Sequence, residues 1–210
     1  MKAEKVDAVS LVYRSSNITL IADELQSAAL HQDWFQELGQ PKDVVKTSDI
    51  TFFDYDTFSI FVHSASKRAV AADASSQLVA TSRIAPMMDR LVRESKLSKV
   101  TALTFGFVYE AVFEHEASEF LTGKYLRANV LGGLGKKDLR VAGIRLACDE
   151  DDHVVRATLD SVPKNPFAIS IYLNYHQDSP PKTVYSDIIN RFGQYTADAP
   201  LFAARIINVA

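Results

Sequence analysis

Between Phe167 and His176 the chain reads FAISIYLNYH. Phe167, Ile169, Ile171, Leu173 and Tyr175 fall on one side of an extended backbone, and Ser170, Tyr172, Asn174 and His176 on the other. Alternation of this length is the pattern of a strand with one face on a core and one face open. An antiparallel sheet permits that, whereas parallel strands are covered on both faces. The stretches before it read in the same way. DLRVAGIRLAC and HVVRATLDSV are joined by DEDD, and PKNP leads on to FAISIYLNYH, connections short enough that neighbouring strands must pair. Residues 138–176 are therefore expected to form a three-stranded meander, with Gly143 marking a bulge. Behind it, DSPPKTVYSDIINRFGQY sets Val184, Ile188, Phe192 and Tyr195 at helical spacing after Pro180 and Pro181, where a helix can begin.

The same order is legible earlier. SDITFFDYD, TFSIFVHSA and KRAVAADA read as three strands between polar turns. QLVATSRIAPMMDRLVRES follows as a helix with Ile84, Met88, Leu91 and Val92 on one side, and Pro86 marks its beginning or a kink. Each block is preceded by a strand and a shorter helix: DAVSLVYR with ITLIADELQSAAL, then VTALTFGFVYEAVFE with ASEFLTGKYL. The expected fold is α+β, two fused βαβββα halves whose antiparallel sheets carry helices on one face, with a period of roughly 95 to 100 residues. The halves span residues 1–98 and 99–210, the second ending in a further strand, LFAARIINV. No Pro/Gly/Ser-rich linker divides them, so one fused unit is expected.

Composition narrows the function classes. The 23 Lys+Arg against 26 Asp+Glu give no general positive field for nucleic acid or anionic lipid. Cys148 is the single cysteine, which excludes an intrachain disulfide framework and a multi-cysteine metal site. MKAEKVDAVSLVYRSS lacks the uninterrupted apolar core of a secretory signal, and no stretch reaches the ~20 apolar residues of a membrane span. The expectation is a soluble, cytoplasmic protein without a membrane partner.

Few residues carry a chemical signature. NVLGGLGKKDL crowds Gly132, Gly133 and Gly135 ahead of Lys136 and Lys137. A Walker loop would need glycine at Val130 and Ser or Thr at Lys137, and a dinucleotide fingerprint would need glycine at Asp138. The loop reads as a connection into the meander. In EHEASE, His115, Glu116 and Glu119 lack the second histidine of a metalloprotease helix, and the two glutamates suit an acidic first turn. His31, His63, His115, His153 and His176 are scattered. Only His153 and His176 fall close in the meander, near Asp151 or Asp178, and they are the weak candidates for a metal or proton-transfer site. Cys148 reads as a small hydrophobe, and no Gly-x-Ser-x-Gly elbow is present. No cofactor is expected.

Aromatic side chains are the remaining feature. In LTFGFVYEAVF one face carries Leu103, Phe105, Phe107, Tyr109, Ala111 and Phe113, a core pattern. ITFFDYDTFSIF carries aromatics in both phases, so some should reach solvent or a groove. Phe53, Tyr55, Phe58 and Tyr172 are the candidates for such a groove.

The strand patterns of LTFGFVYEAVF and ISIYLNYH, each placed before a helix and a final strand, resemble those of a prokaryotic α+β family to which no activity is assigned. A doubled α+β plan is also that of the TATA-binding protein, and sheet-plus-helix units recur in export chaperones, analogies of architecture alone. The expected function is a non-catalytic binding or assembly protein, engaging a peptide, a protein or copies of itself through an aromatic groove or sheet edge. The alternatives are a small hydrolase or metal-dependent enzyme, and a nucleic-acid saddle using Arg140, Arg145, Arg156 and Lys164. The acidic CDEDD turn weighs against the saddle.

Overall fold

Strands, most of them with alternating apolar residues, assemble side by side. The computed structural model of the protein describes residues 8–77, 82–125 and 143–208. In chain order the strands are β1 (Ala8–Ile21), β2 (Asp43–Lys46), β3 (Ile50–Asp54), β4 (Phe58–His63), β5 (Arg68–Asp73), β6 (Ala102–Phe113), β7 (Gly143–Asp149), β8 (Val154–Val162) and β9 (Asn165–Asp178). The helices are α1 (Ile84–Glu94), α2 (Ala117–Tyr125), α3 (Lys182–Tyr185) and α4 (Ile188–Asn208), with 3₁₀ turns at Ser27–Ala29 and Gln32–Leu38. The fold is α+β: one antiparallel sheet in the order β2-β3-β4-β5-β1-β6-β9-β8-β7.

The three longer helices pack on the same face of that sheet, and α3 packs against α4. α1 lies on β1, β4 and β5, α4 on β1, β6 and β9, and α2 on β7 and β9. Ile18, Phe105 and Tyr175 stand abreast on this face, paired through β1, β6 and β9, and all are buried. α4 places Phe192 5.5 Å from Phe107 and Tyr195 4.5 Å from Tyr175, ring centre to ring centre. Truncating one such buried aromatic ring costs about 3–5 kcal/mol. The opposite face has no described helix upon it. Several of its residues, among them Phe52, Phe61 and Val70 in neighbouring strands, are half-buried.

The meander is present from Gly143 to His176, with β7 pairing β8 and β8 pairing β9. Residues 138–142 and the glycine loop with Lys136 and Lys137 lie outside the described residues. Ile84, Met88, Leu91 and Val92 are buried along α1, and Val184, Ile188, Phe192 and Tyr195 along α3 and α4, as their spacing requires.

Three expectations need correction, and one strand is new to the reading. ITLIADELQSAAL is no helix: Ile18–Ile21 extend β1, because Ile18 and Leu20 alternate into the core beside β5 and β6, and 3₁₀ turns follow. LFAARIINV is no strand: Leu201–Asn208 continue α4 through Pro200, with Ala199, Ala203, Ile206 and Ile207 buried at helical spacing. Phe167 leaves the core face of β9 and is 44% exposed, because the register shifts beside Val162 and Asn165. The edge strand β2 was not anticipated; its DVVK is exposed on both faces and has no burial pattern to read.

Candidate functional site

The β3–β4 hairpin turn builds one wall of a cavity. Tyr55 and Phe58 close the turn by a backbone bond from Tyr55 N–H to the Phe58 carbonyl at 2.7 Å. Between them Asp56 takes the left-handed conformation (φ 74°), one that Asp tolerates, and its N–H donates to Asp54 Oδ1 at 3.1 Å. Lys42 adds an exposed ion pair to Asp56 at 3.0 Å. The 3₁₀ turn Gln32–Leu38, anchored in the core by the fully buried Phe35, supplies Glu37 and Leu38. Arg83, at the start of α1, and Gln77 complete a cavity of about 510 Å³.

Polar groups in this cavity are unevenly satisfied. Arg83 Nη1 donates to the Glu37 backbone carbonyl at 3.2 Å, and no carboxylate among the described residues pairs with its guanidinium. The Glu37 carboxylate turns instead towards Arg90, at 3.4 Å, and Arg90 also donates to the Trp34 carbonyl. Tyr55 is 9% exposed, and its hydroxyl is buried without a hydrogen-bond partner. Burial, with the Glu37 charge adding to it, pushes the Tyr55 phenol up, so it remains a neutral O–H donor. Behind Phe58, its strand partner Asp73 is buried and accepts the Ser75 N–H at 2.8 Å.

Of the four groove candidates, Tyr55 and Phe58 share this cavity and the other two do not. Phe53 is fully buried in the core, with Lys46 Nζ 5.3 Å from its ring centre. Tyr172 belongs to the opposite, helix-free face, where its hydroxyl and the Asn17 amide lie over Gly106. Nearby on β9, Asn174 Oδ1 is buried without a partner. Glu37, Leu38 and Arg83 escaped the sequence reading, because only the tertiary packing of the 3₁₀ turn against α1 brings them to the hairpin.

The histidines separate as well. His153 lies on the helix-bearing face, 5.1 Å from the Tyr195 ring and 5.8 Å from the Tyr175 ring. It bonds Asp152 at 2.6 Å, rather than Asp151, and Asp152 also accepts Arg191 Nη1 at 2.7 Å. His176, one residue along from Tyr175, points to the other face. Its Nδ1 lies 2.8 Å from Thr104 Oγ1 and its Nε2 3.0 Å from Asp178 Oδ1. They form no joint site, and no group of three His, Cys, Asp or Glu side chains suited to a metal occurs among the described residues. Glu114, His115 and Glu116 are exposed ahead of α2, with Glu119 in its first turn. Cys148 is exposed on the edge strand β7 rather than buried. Among the described residues no helix is long and apolar enough to cross a membrane. No model of a known protein family matches the chain, and no curated protein matches it either.

Proposed function

We propose that this chain is a non-catalytic binding or assembly protein, engaging a peptide or protein partner through the cavity formed by Tyr55, Phe58, Leu38 and Arg83. The observation that carries the reading is the unsatisfied wall of that cavity. The Tyr55 hydroxyl is buried in that wall without a hydrogen-bond partner, and the Arg83 guanidinium pairs with no carboxylate among the described residues; Leu38 and Phe58 supply apolar surface beside the polar Glu37, Thr57 and Gln77. Concavities that combine apolar side chains with a few directed polar groups are the usual form of a binding site. Light scattering together with native mass spectrometry on the purified protein tests it. A co-purified peptide or protein, or a defined multimer, is expected; a bare monomer that binds nothing from a peptide library overturns it.

Self-association is the second form of the same reading. The helix-free sheet face, with half-buried Phe52, Phe61 and Val70, and the exposed edge strand β2, with Val44 and Val45 above 40% exposure, support it. In the architectural part of the proposal, β1 with β3–β5 and β6 with β7–β9 are two related halves meeting at the β1–β6 pair. In each, the last strand returns beside the first. The exposed thiol of Cys148 fits a reducing, cytoplasmic setting.

The two alternatives draw less support. A hydrolase reading would use the Thr104–His176–Asp178 chain, but Thr104 is only 8% exposed on an open sheet face and Asp178 Oδ1 meets the imidazole from solvent. A nucleic-acid saddle would use Arg145 and Arg156 on that face. Asp160, Glu110 and Asp54 share it, and the mixed charge opposes phosphate binding.

A further inference from the structure

The two edges of the sheet differ. β2 is an edge of four residues. β7 presents seven, Gly143–Asp149, and pairs β8 along all of them without a register shift, so its outer backbone groups form a regular, unused ladder. Among the described residues no strand lies beyond it. The usual protections of such an edge include Lys, Pro and bulges. GIRLACD contains no Lys or Pro, and no bulge interrupts its pairing with β8. Its charges are Arg145 and Asp149, both exposed on the helix-free face, and among the described residues neither has an ion-pair partner. On the helix-bearing face Ile144 and Leu146 are half-buried and Cys148 is exposed, an apolar row that the core covers only in part.

We infer that β7 docks antiparallel on the β7 of a second copy, with Arg145 of each chain opposite Asp149 of the other. This deepens the self-association form of the reading above, rests on it, and sets the contact at β7 rather than β2. A two-fold axis normal to the sheet keeps the helices of both copies on one side, so each residue must oppose one an even number of positions away. An axis through Arg145 or Asp149 sets like charges opposite each other, which is destabilising. An axis at Leu146 sets Arg145 against Ala147, and one at Cys148 sets Asp149 against Ala147. An axis at Ala147 pairs Arg145 with Asp149 twice and sets Leu146 against Cys148 on the apolar side. β2 offers no such register: an axis at Val44 sets Asp43 against Val45, and one at Val45 sets Lys46 against Val44. The self-complementary charge pattern of β7 selects a second copy over an unrelated strand.

Sedimentation velocity on the full chain, from low to high micromolar concentration, is the test. A dimer that dissociates on dilution is expected, since a seven-residue edge is a small contact. Arg145→Glu or Asp149→Arg alone should weaken it about tenfold or more, because both ion pairs become like-charge pairs. Both side chains are exposed, so the melting temperature of the dilute protein should hold. Mixing the two single variants should restore a dimer, and so should both reversals in one chain. A cross-link fixes the register. Ala147→Cys combined with Cys148→Ser should give a disulfide-linked dimer on mild oxidation, whereas the native Cys148, two positions out of register with its counterpart, should not. A dimer indifferent to the single reversals overturns the assignment to β7 and leaves self-association standing. Weakening without restoration in the mixture, or cross-linking through the native Cys148, overturns the pairing of Arg145 with Asp149. A monomer at every concentration overturns the inference and the self-association form together, and the cavity reading then stands or falls on its peptide library.

Discussion

The side-chain amide of Asn17 and the hydroxyl of Tyr172 both lie 2.7 Å from the point where a Cβ on Gly106 would stand. The three residues come from adjacent strands, β1, β9 and β6, on the helix-free face. A glycine at the centre of the longest pairings lets two polar side chains lie flat on the sheet. Its backbone is not in the left-handed region, so the requirement is one of space alone.

Gly106→Ala sets two effects against each other. Alanine reduces the entropy lost on folding by about 0.5–1 kcal/mol, whereas intrusion into a filled site costs about 1–3 kcal/mol. The clash should win, lowering stability by about 1 kcal/mol in urea unfolding. Because two of the three close atoms belong to Asn17, the double variant with Asn17→Ala should recover most of the loss. Simple additivity in that double-mutant cycle would contradict the geometry.

Alkaline pH should weaken the fold before it damages the chain. Burial pushes the Tyr13 phenol up to about 12, opposed by its bond to Ser16, and pushes Tyr109 and Tyr175 further above the ordinary phenol range. A raised folded-state pKa means that the unfolded chain ionises first. This stability is therefore complete below about pH 10 and is lost as pH rises towards the folded values. Urea midpoints followed by the fluorescence of Trp34, the single tryptophan, should hold steady from pH 8 to 9 and fall between pH 10 and 12. Tyr175 also donates to Asp198 Oδ2 at 2.8 Å, so Tyr175→Phe should remove part of the slope.

What could be read in advance follows from how local each signal is. β9 and β6 were legible because alternate residues meet one core, and a period of two survives in the sequence whatever the neighbouring strand. The β3–β4 hairpin carried Tyr55 and Phe58 for the same reason. ITLIADELQSAAL misled because Ile18, Ile21, Ala22 and Leu25 also satisfy a helical stripe; pairing with both β5 and β6 decided for the strand. Pro200 reads as a helix breaker, yet α4 continues because Ala203, Ile206 and Ile207 reach the core beyond it. The partners of the cavity, Arg83 and Glu37, are 46 positions apart, and nothing local to either foretells the contact.

At the other end of the sheet, acid should loosen the β7–β8 turn from α4. The bond from His153, and then Arg191, holds the Asp152 carboxyl below its usual range despite some desolvation. A depressed carboxylate contributes stability that is present above its unfolded pKa near 4 and is lost as pH falls below it. The Asp152 side chain is 43% exposed, so Asp152→Asn should cost no more than about 1 kcal/mol at pH 7. The same variant should flatten the dependence of stability on pH between about 5 and 3. An unchanged acid limb would place the titrating group elsewhere.

The last segment allows helix and strand to be told apart by substitution. In a strand, Leu201 and Ala203 would share a face and respond alike to a charge, since alternate residues point the same way. In α4 they do not: Leu201 is 58% exposed, and Ala203 is fully buried. Leu201→Asp should therefore change stability by about 0.5 kcal/mol or less, the usual range for surface substitutions. Ala203→Asp places an unpaired carboxylate against the core, which costs several kcal/mol or forces local unfolding. Ile206, three residues on and 9% exposed, should respond to Asp as Ala203 does, and its displacement would break the 2.9 Å bond from the Tyr125 hydroxyl to the Ile206 carbonyl. Thermal melts of the three single variants settle the pattern. Sensitivity at 203 and 206 with tolerance at 201 is the helical outcome, while equal damage at 201 and 203 would return the segment to the sheet.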